Sequence, residues 1–322
     1  MKKKNIQDSV EEKIDVDEKL AEFDTSSNVR KMAGIMGTII TIVAIAMSGF
    51  HLWTASFGIL LAMKQRATHL FFVFLLGFLL YPATKKSSRT KIPFYDLIFT
   101  GAGMAVTGYI LFFYEELVRR GGRPTSLDIF MGILAIVLVL EITRRSIGPE
   151  LPIIALVFIG YVFAGPYLPG ALGHRGYSLA RIVNQLYMTT EGIFGTPLGV
   201  SATFVFMFIL FGSFLEVTGV GQFFIDVAFA AAGHRKGGPA KAAVLASGFM
   251  GSISGSSIAN TVTTGAFTIP LMKKVGYNKN FAGAVEAAAS TGGQILPPIM
   301  GAAAFIMSEF TSIPYIRIVA SA

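Results

Sequence analysis

Two polar stretches inside an otherwise apolar segment contain the residues most able to do chemistry. Residues 251–260 read GSISGSSIAN, and residues 290–298 read STGGQILPP. Glycine loosens a helix and proline removes a backbone donor, so both stretches should leave backbone carbonyl and amide groups without helical partners. Such groups can bind an ion or a polar solute, and they are tolerated in a membrane only inside protein or a watery cavity. Paired interruptions of this kind indicate the binding site of a secondary transporter.

The same small residues have a simpler explanation. The spacing Gly251-x-x-x-Gly255 could merely let two helices pack closely, which is the commoner role of one small-residue motif taken alone. Two interrupted elements in one segment favour a site over close packing.

The first stretch should be the apex of a re-entrant hairpin, because its apolar arms of about a dozen residues are too short to cross a bilayer singly. Basic residues flank both arms and place both ends on the cytoplasmic face. They are Arg235, Lys236 and Lys241 on one side and Lys273 and Lys274 on the other. The second stretch interrupts a helix that begins near Phe281.

Composition places the chain in a membrane. Its mean hydropathy is +0.62, and 53% of its residues are hydrophobic while 14% are charged. The long uninterrupted apolar runs predict helices rather than a barrel, and hence an all-α polytopic membrane protein. We expect spans at residues 32–50, 68–81, 94–114, 127–142, 151–163 and 197–217, with interfacial helices at 179–190 and 222–232.

Basic residues set the predicted orientation. They lie between the second and third spans and directly after the fourth, which predicts that both places and the N-terminus are cytoplasmic. These residues are Lys85, Lys86, Arg89, Lys91, Arg144 and Arg145. Membrane topology therefore explains the net charge of +8, and no nucleic-acid partner is expected. Residues 1–30 should form a polar cytoplasmic tail.

Ionisable residues in apolar surroundings are also candidates for function. Five carboxylates have such positions, and most are expected at the membrane interface: Glu191, Glu216, Asp226, Glu286 and Glu309. Glu286 is the exception, because it lies on an alanine-rich helix shortly before the Gly-Gly pair. The four histidines are expected at interfaces: His51, His69, His174 and His234.

Longer motifs carry a resemblance to a known family. They are GSISGSSIANTVTTGAFTIPLMKKVGY, FAGAVEAAASTGGQILPPIMGAAAFIM, LEITRRSIGPELPI, EGIFGTPLGVSATFVFMFILFGSFL and GHRKGGPAK. Over roughly residues 90–322 the chain resembles the fused membrane subunit of tripartite ATP-independent periplasmic (TRAP) transporters of the TAXI-associated type. The resemblance implies a four-helix small-subunit-like domain at residues 31–148, followed at 149–322 by the N-terminal half of an elevator-type large permease domain.

The resemblance also implies a function and a location. The family imports organic acids with sodium as the coupling ion, without a cofactor, and an extracytoplasmic solute-binding protein of the TAXI type delivers the solute. The chain would then be a multi-pass protein of a bacterial or archaeal cytoplasmic membrane.

Site residues follow by matching motifs. The family's first sodium site would correspond here to Ser254, Ser256, Gly293, Ile295 and Pro298. Candidate solute-binding residues are the polar side chains around the same two stretches, namely Ser257, Asn260, Thr264, Ser290 and Thr291.

Members of this family carry a second, inverted half with its own hairpin and broken helix, and no such half follows Ala322. We therefore expect a missing second half of the permease as a partner. A truncated scaffold that assembles with other subunits but does not transport is the alternative. An intramembrane serine protease built on Ser254 is disfavoured, since no histidine after His234 could activate the serine.

Overall fold

The structure is a computed structural model that describes residues 29–30, 32–84 and 87–322. Residues 1–28, which include most of the predicted tail, lie outside the described residues, as do Lys31, Lys85 and Lys86 and the side chain of Glu216. The described residues form two compact units, which divide between Leu198 and Gly199. The boundary between the two domains predicted from the sequence, at residues 148 and 149, stays a prediction.

The described residues form helices and no strands. In the first unit these are α1 (Gly34–Phe57), α2 (Ala62–Leu80), α3 (Phe94–Arg119), α4 (Ser126–Ser146), α5 (Glu150–Ala164) and α6 (Leu179–Tyr187). From α7 (Thr196–Val200), a π-helical turn leads into the second unit, which contains α8 (Phe206–Val217), α9 (Val220–Ala232), α10 (Gly238–Ser254), α11 (Ser257–Lys274), α12 (Lys279–Gly293), α13 (Ala302–Thr311) and α14 (Tyr315–Ser321).

Among the described residues, six helical segments are long and apolar enough to cross a membrane, which confirms the predicted polytopic all-α class. They are Gly34–Phe57, Ala62–Leu80, Phe94–Arg119, Ser126–Ser146, Glu150–Tyr167 and Thr196–Leu215. The second begins six residues before the predicted position 68. Its first turns contain Lys64, which lies 5.2 Å from the ring centre of Tyr114, and Arg66, which donates to the carbonyl of Phe194 at 2.7 Å. Charged side chains with such partners are compatible with a helix that an apolar run alone would not predict.

Aromatic and branched side chains from α2, α3 and α4 form the core of the first unit. Phe74, Phe78, Val106, Ile110 and Leu138 are fully buried there. Helix α6 adds the buried Tyr187, whose hydroxyl donates to the carbonyl of Val106 at 2.5 Å. The amphipathic pattern at 179–190 therefore marks a helix whose apolar face packs on the bundle.

A buried ion-pair cluster joins α3 and α4 to the segment before α1. Asp96, at the start of α3, accepts hydrogen bonds from Arg30 at 2.5 Å and from Arg145 at 2.6 Å, and all three side chains are fully buried. Arg30 also donates to the carbonyls of Phe78 and Leu79 at the end of α2. Arg145 therefore has a structural role in addition to any effect on topology.

Two of the histidines that were expected at interfaces are buried between helices. His51 of α1 and His69 of α2 are 1% and 4% exposed, and their ring nitrogens Nε2 and Nδ1 are 3.0 Å apart. A hydrogen bond between the rings offsets the cost of removing both from water. The spacing of residues along one helix does not predict a hydrogen-bonded pair that forms between two helices.

Candidate functional site

The first polar stretch forms the turn of a helical hairpin. Helix α10 ends at Ser254, and α11 begins three residues later at Ser257. Gly255 has φ +62°, a left-handed conformation that glycine adopts without strain, and its N–H donates to the carbonyl of Gly251 at 2.9 Å. Ser256 caps α11, because its Oγ accepts from the N–H of Ala259 at 3.3 Å.

The second polar stretch ends α12 at Gly293, and the next helix begins only at Ala302. The intervening residues form successive turns. The N–H of Leu296 donates to the carbonyl of Gly293 at 3.3 Å, and the N–H of Gly301 donates to the carbonyl of Gln294 at 2.6 Å. The backbone is therefore irregular between α12 and α13, as the glycine and proline content predicts.

The hairpin and the interrupted helix meet through their backbones. A Cβ atom at Gly251 would lie 2.5 Å from the Cα of Gly293, which is closer than real side-chain contacts allow. The N–H of Ile299 donates to the carbonyl of Ser252 at 3.1 Å. A Cβ at Gly255 would lie 2.5 Å from the carbonyl oxygen of Met300. The tertiary structure therefore brings together two stretches about 40 residues apart in the sequence.

The five residues matched to a sodium site lie on these two elements. Ser254 and Ser256 form the hairpin turn, with 3.4 Å between Ser254 Oγ and the backbone nitrogen of Ser256. Gly293 is buried against Gly251. Gly251 lies one helical turn before Ser254 on α10. The assignment of these residues as ligands stays a prediction.

The other two matched residues lie in the turns after α12. The side chain of Ile295 is 65% exposed, so only its carbonyl could serve a buried ion. The carbonyl of Pro298 accepts from the hydroxyl of Tyr315 at 3.2 Å. A carbonyl oxygen has two lone pairs, so this contact leaves one available.

The oxygen donors at the turn suit a hard cation. Hydroxyl and carbonyl oxygens surround the turn, and the described residues contain no group of three or more His, Cys, Asp or Glu side chains that could hold a metal ion. Transition metals favour nitrogen and sulfur ligands, whereas oxygen-only sets suit alkali and alkaline-earth ions.

A cavity of about 320 Å³ adjoins the hairpin turn. Ser254, Gly255 and Ser256 form one wall, and none of the described residues that line it is charged. Its apolar walls come from α8, α9 and residues 299–305, with side chains that include Phe208, Ile209, Val220, Ile299 and Phe305.

The predicted solute-binding residues do not gather in one pocket. Asn260, Thr264 and Ser290 are fully buried in a polar cluster between α10, α11 and α12. Thr291 is exposed and donates to the carbonyl of Ala287, and Ser257 lies outside the cluster. The first three side chains are therefore bonded to protein groups in this conformation.

Two members of this cluster were not predicted from the sequence, Ser247 and Thr268. The signal was present as a four-residue spacing that puts Asn260, Thr264 and Thr268 on one face of α11.

The carboxylates that the structure describes differ in burial, and their predicted interfacial position stays a prediction. Glu286 is fully buried, whereas Glu191, Asp226 and Glu309 are exposed.

Comparison with known proteins agrees with the membrane architecture. Residues 134–322 match the family described as the tripartite ATP-independent periplasmic transporter, DctM component. The C4-dicarboxylate TRAP transporter large permease protein DctM of Vibrio cholerae is 34% identical over 157 residues, which cover 45% of this chain and 33% of that protein. The protein of the same name from Pseudomonas aeruginosa is 36% identical over 106 residues, covering 33% of this chain and 25% of that protein.

A third relative is the isethionate TRAP transporter permease protein DctMQ of Oleidesulfovibrio alaskensis, which is 36% identical over 91 residues, or 28% of this chain and 14% of that protein. The matched part of the chain thus spans at most a third of the length of these relatives. No solved structure shows a significant match.

The family match covers more than half of the chain, and the relatives are named as transporter permeases rather than enzymes. The chain therefore belongs to the family of the DctM component, the large permease, of tripartite ATP-independent periplasmic transporters.

Proposed function

We propose that this chain is the membrane permease component of a sodium-driven, binding-protein-dependent importer of organic acids. One observation carries the proposal, namely the direct contact between the hairpin turn and the interrupted α12. The hydrogen bond from the N–H of Ile299 to the carbonyl of Ser252 and the approach of Gly251 to Gly293 hold the end of α10 against the interruption after α12. Irregular backbone inside a membrane protein is the usual place for coupling ions and substrates.

Sodium is the proposed coupling ion. Ser254 and Ser256 supply hydroxyl and carbonyl oxygens, while Gly293, Ile295 and Pro298 supply carbonyls. An oxygen-only site needs no ionised side chain, so the bound ion brings a single positive charge to the hairpin turn. That charge would favour binding of an anionic solute nearby.

The solute class rests on the names of the relatives. They are named for C4-dicarboxylates, 2,3-diketo-L-gulonate and isethionate, which are all small organic anions. We infer an organic acid for this chain, delivered by an extracytoplasmic solute-binding protein of the TAXI type. Ser257, Asn260, Thr264, Ser290 and Thr291 remain candidates for contacts with it, in a conformation that opens the buried cluster.

The domain organisation is also part of the proposal. Residues 31–148 would act as a fused small-subunit-like domain, and residues 149–322 as part of an elevator-type transport domain with a re-entrant hairpin. The basic residues of the loop after α2 and at the end of α4 support a cytoplasmic N-terminus in a bacterial or archaeal cell.

Uptake assays test the proposal. The transporter that contains this chain is reconstituted in proteoliposomes together with its binding protein, and uptake of radiolabelled organic acids is measured under inward sodium, potassium or proton gradients. We expect uptake only with the sodium gradient. Equal uptake with potassium would overturn sodium coupling, and assembly with other membrane subunits without uptake under any gradient would favour a scaffold.

A further inference from the structure

A buried carboxyl group lies at the centre of the three helices that form the candidate site. Glu286 of α12 is 0% exposed, and no ion pair in the described part of the chain includes it. A carboxyl group buried without a cation must be stabilised by hydrogen bonds. Its partners are therefore informative.

Two hydroxyl groups of α11 bond to the two oxygens of Glu286. Thr264 donates to Oε1 through a short hydrogen bond, and Thr268 donates to Oε2 at 2.5 Å. Both threonines are fully buried and lie one turn apart. A Cβ at Gly265 would lie 3.1 Å from Cγ of Glu286, so α11 passes very close to the side chain. Glu286 thus connects α12 to the second arm of the hairpin.

A chain of polar groups connects Glu286 to the first arm as well. Ser290 is 3.4 Å from Glu286 Oε1, and its hydroxyl is 3.0 Å from that of Ser247 on α10. Asn260 donates from its amide nitrogen to the carbonyl and the hydroxyl of Ser247 at 2.7 and 3.1 Å. Ser247, Asn260 and Ser290 are all fully buried.

The hydrogen bonds along this chain can all have the same donor-to-acceptor direction. A serine hydroxyl has one proton to donate and can also accept. Asn260 can donate to Ser247, Ser247 to Ser290, and Ser290 to Glu286, so that no proton is used twice. The carboxyl group is then the final acceptor for both arms of the hairpin.

The cluster ends where the two backbones meet. The amide nitrogen of Asn260 is 2.9 Å from the position that a Cβ of Gly251 would take, and 3.2 Å from that of Gly293. Ser290 lies one turn before Gly293 on the same buried face of α12. A displacement of the Glu286 side chain would therefore also displace the residues at the contact between the hairpin and the interruption of α12.

From these contacts we infer that Glu286 is a positioning residue, which holds both hairpin arms against α12 and thereby sets the geometry of the cation site. This inference rests on the proposed function only for the cation. The position of the hairpin relative to α12 can be measured without sodium. A purely packing role, in which the cluster merely satisfies buried polar groups, is the outcome that the experiments below can establish instead.

The first experiment measures spacing. The chain contains no cysteine, so spin labels can be attached at Val262→Cys on α11 and Ala288→Cys on α12, both exposed positions. Double electron–electron resonance in sodium-free buffer should give one narrow distance with Glu286. We expect a longer or broader distance distribution in Glu286→Ala, and recovery in Glu286→Gln, whose amide oxygen still accepts a hydrogen bond. Identical distributions for Glu286 and Glu286→Ala would overturn the inference.

The second experiment measures the sodium dependence of uptake by the transporter that contains this chain. Met272→Ala is the matched control, because Met272 is buried beside Ala243 and Ala282 between the same three helices but outside the polar cluster. We expect Glu286→Ala to weaken apparent sodium affinity by roughly tenfold or more, because the hydrogen bonds that hold the hairpin arms against α12 are lost. Met272→Ala should lower the unfolding temperature and leave sodium affinity unchanged.

Equal sodium affinity in Glu286→Ala and Met272→Ala would show a packing role only. If Glu286→Ala does not fold, Thr268→Val removes one donor at similar volume and should weaken sodium affinity in the same direction, and unchanged affinity there would count against the inference. A wild-type transporter without any sodium response would contradict the proposed function, while the distance measurement would still decide the role of Glu286.

Discussion

Gly251 of the hairpin and Gly293 of the interrupted helix are in backbone contact, since a Cβ on Gly293 would lie 2.6 Å from the Cα of Gly251. Neither position tolerates a side chain unless the two helices separate. The contact lies beside the hairpin turn that carries Ser254 and Ser256. Close packing and a binding site, which were alternatives for the glycine pattern, are therefore compatible in this protein.

Replacing Gly293 by alanine should push α12 away from α10. Forcing an extra methyl group into a filled contact typically costs about 1–3 kcal/mol of stability. Gly292→Ala is the matched control, because a Cβ at Gly292 meets nothing within 4 Å. That change should be neutral or slightly stabilising, since alanine is favoured over glycine in a helix by up to about 1 kcal/mol. Thermal unfolding in detergent measures both, and equal midpoints would contradict the contact.

Ser256→Ala should weaken sodium binding beyond its effect on the helix cap. Loss of the cap of α11 costs about 1 kcal/mol of stability. Loss of a hydroxyl ligand to a charged ion, at about 1.5–3 kcal/mol, should lower sodium affinity roughly ten- to a hundredfold. Ser178→Ala removes a similar cap from α6, where Ser178 accepts from the N–H of Arg181 at 3.4 Å.

Sodium titrations of uptake compare these two variants with the wild type. The cap control should keep the wild-type sodium dependence. If Ser256→Ala keeps it too, Ser256 is not a ligand.

Asp96→Ala should be severely destabilising, because it leaves the buried guanidinium group of Arg30 without its counter-charge. Arg145 loses the same partner and keeps only its ion pair with Glu141 at 2.7 Å. Breaking a buried ion pair from one side typically costs about 3–5 kcal/mol. The control is Glu115→Ala, since Glu115 and its partner Arg119 are both 78% exposed. An exposed pair contributes about 0–1 kcal/mol. Denaturation of both variants in detergent is the measurement, and similar losses would refute a stabilising role for the cluster.

Cysteine labelling tests the orientation of the chain. In a protein with no native cysteine, Thr90→Cys in the loop after α2 should be shielded from an impermeant thiol reagent in intact cells. Gly170→Cys, in the exposed loop after α5, should react. The basic residues around Thr90 are the reason for this expectation. Labelling at Thr90→Cys with protection at Gly170→Cys would place the N-terminus outside.

The spans were predictable because a membrane helix must be apolar along its whole length, and this property is local in the sequence. The hairpin turn at Gly255 was predictable for a similar reason, since glycine and serine mark helix ends by their own conformational preferences. Helix ends were less well predicted where charged residues such as Arg66 form hydrogen bonds to groups far away in the sequence.

Residue types and spacing alone therefore determined the membrane class, the helical hairpin and the interrupted helix, because each depends on hydrophobicity or backbone preference within a few residues. Only the tertiary structure decided which residues meet. The contact of Gly251 with Gly293, the bonding of Glu286 to Thr264 and Thr268, and the pairing of Asp96 with Arg30 join positions many residues apart. Burial between packed helices determines whether a polar side chain faces water or another side chain, and no local pattern contains that information.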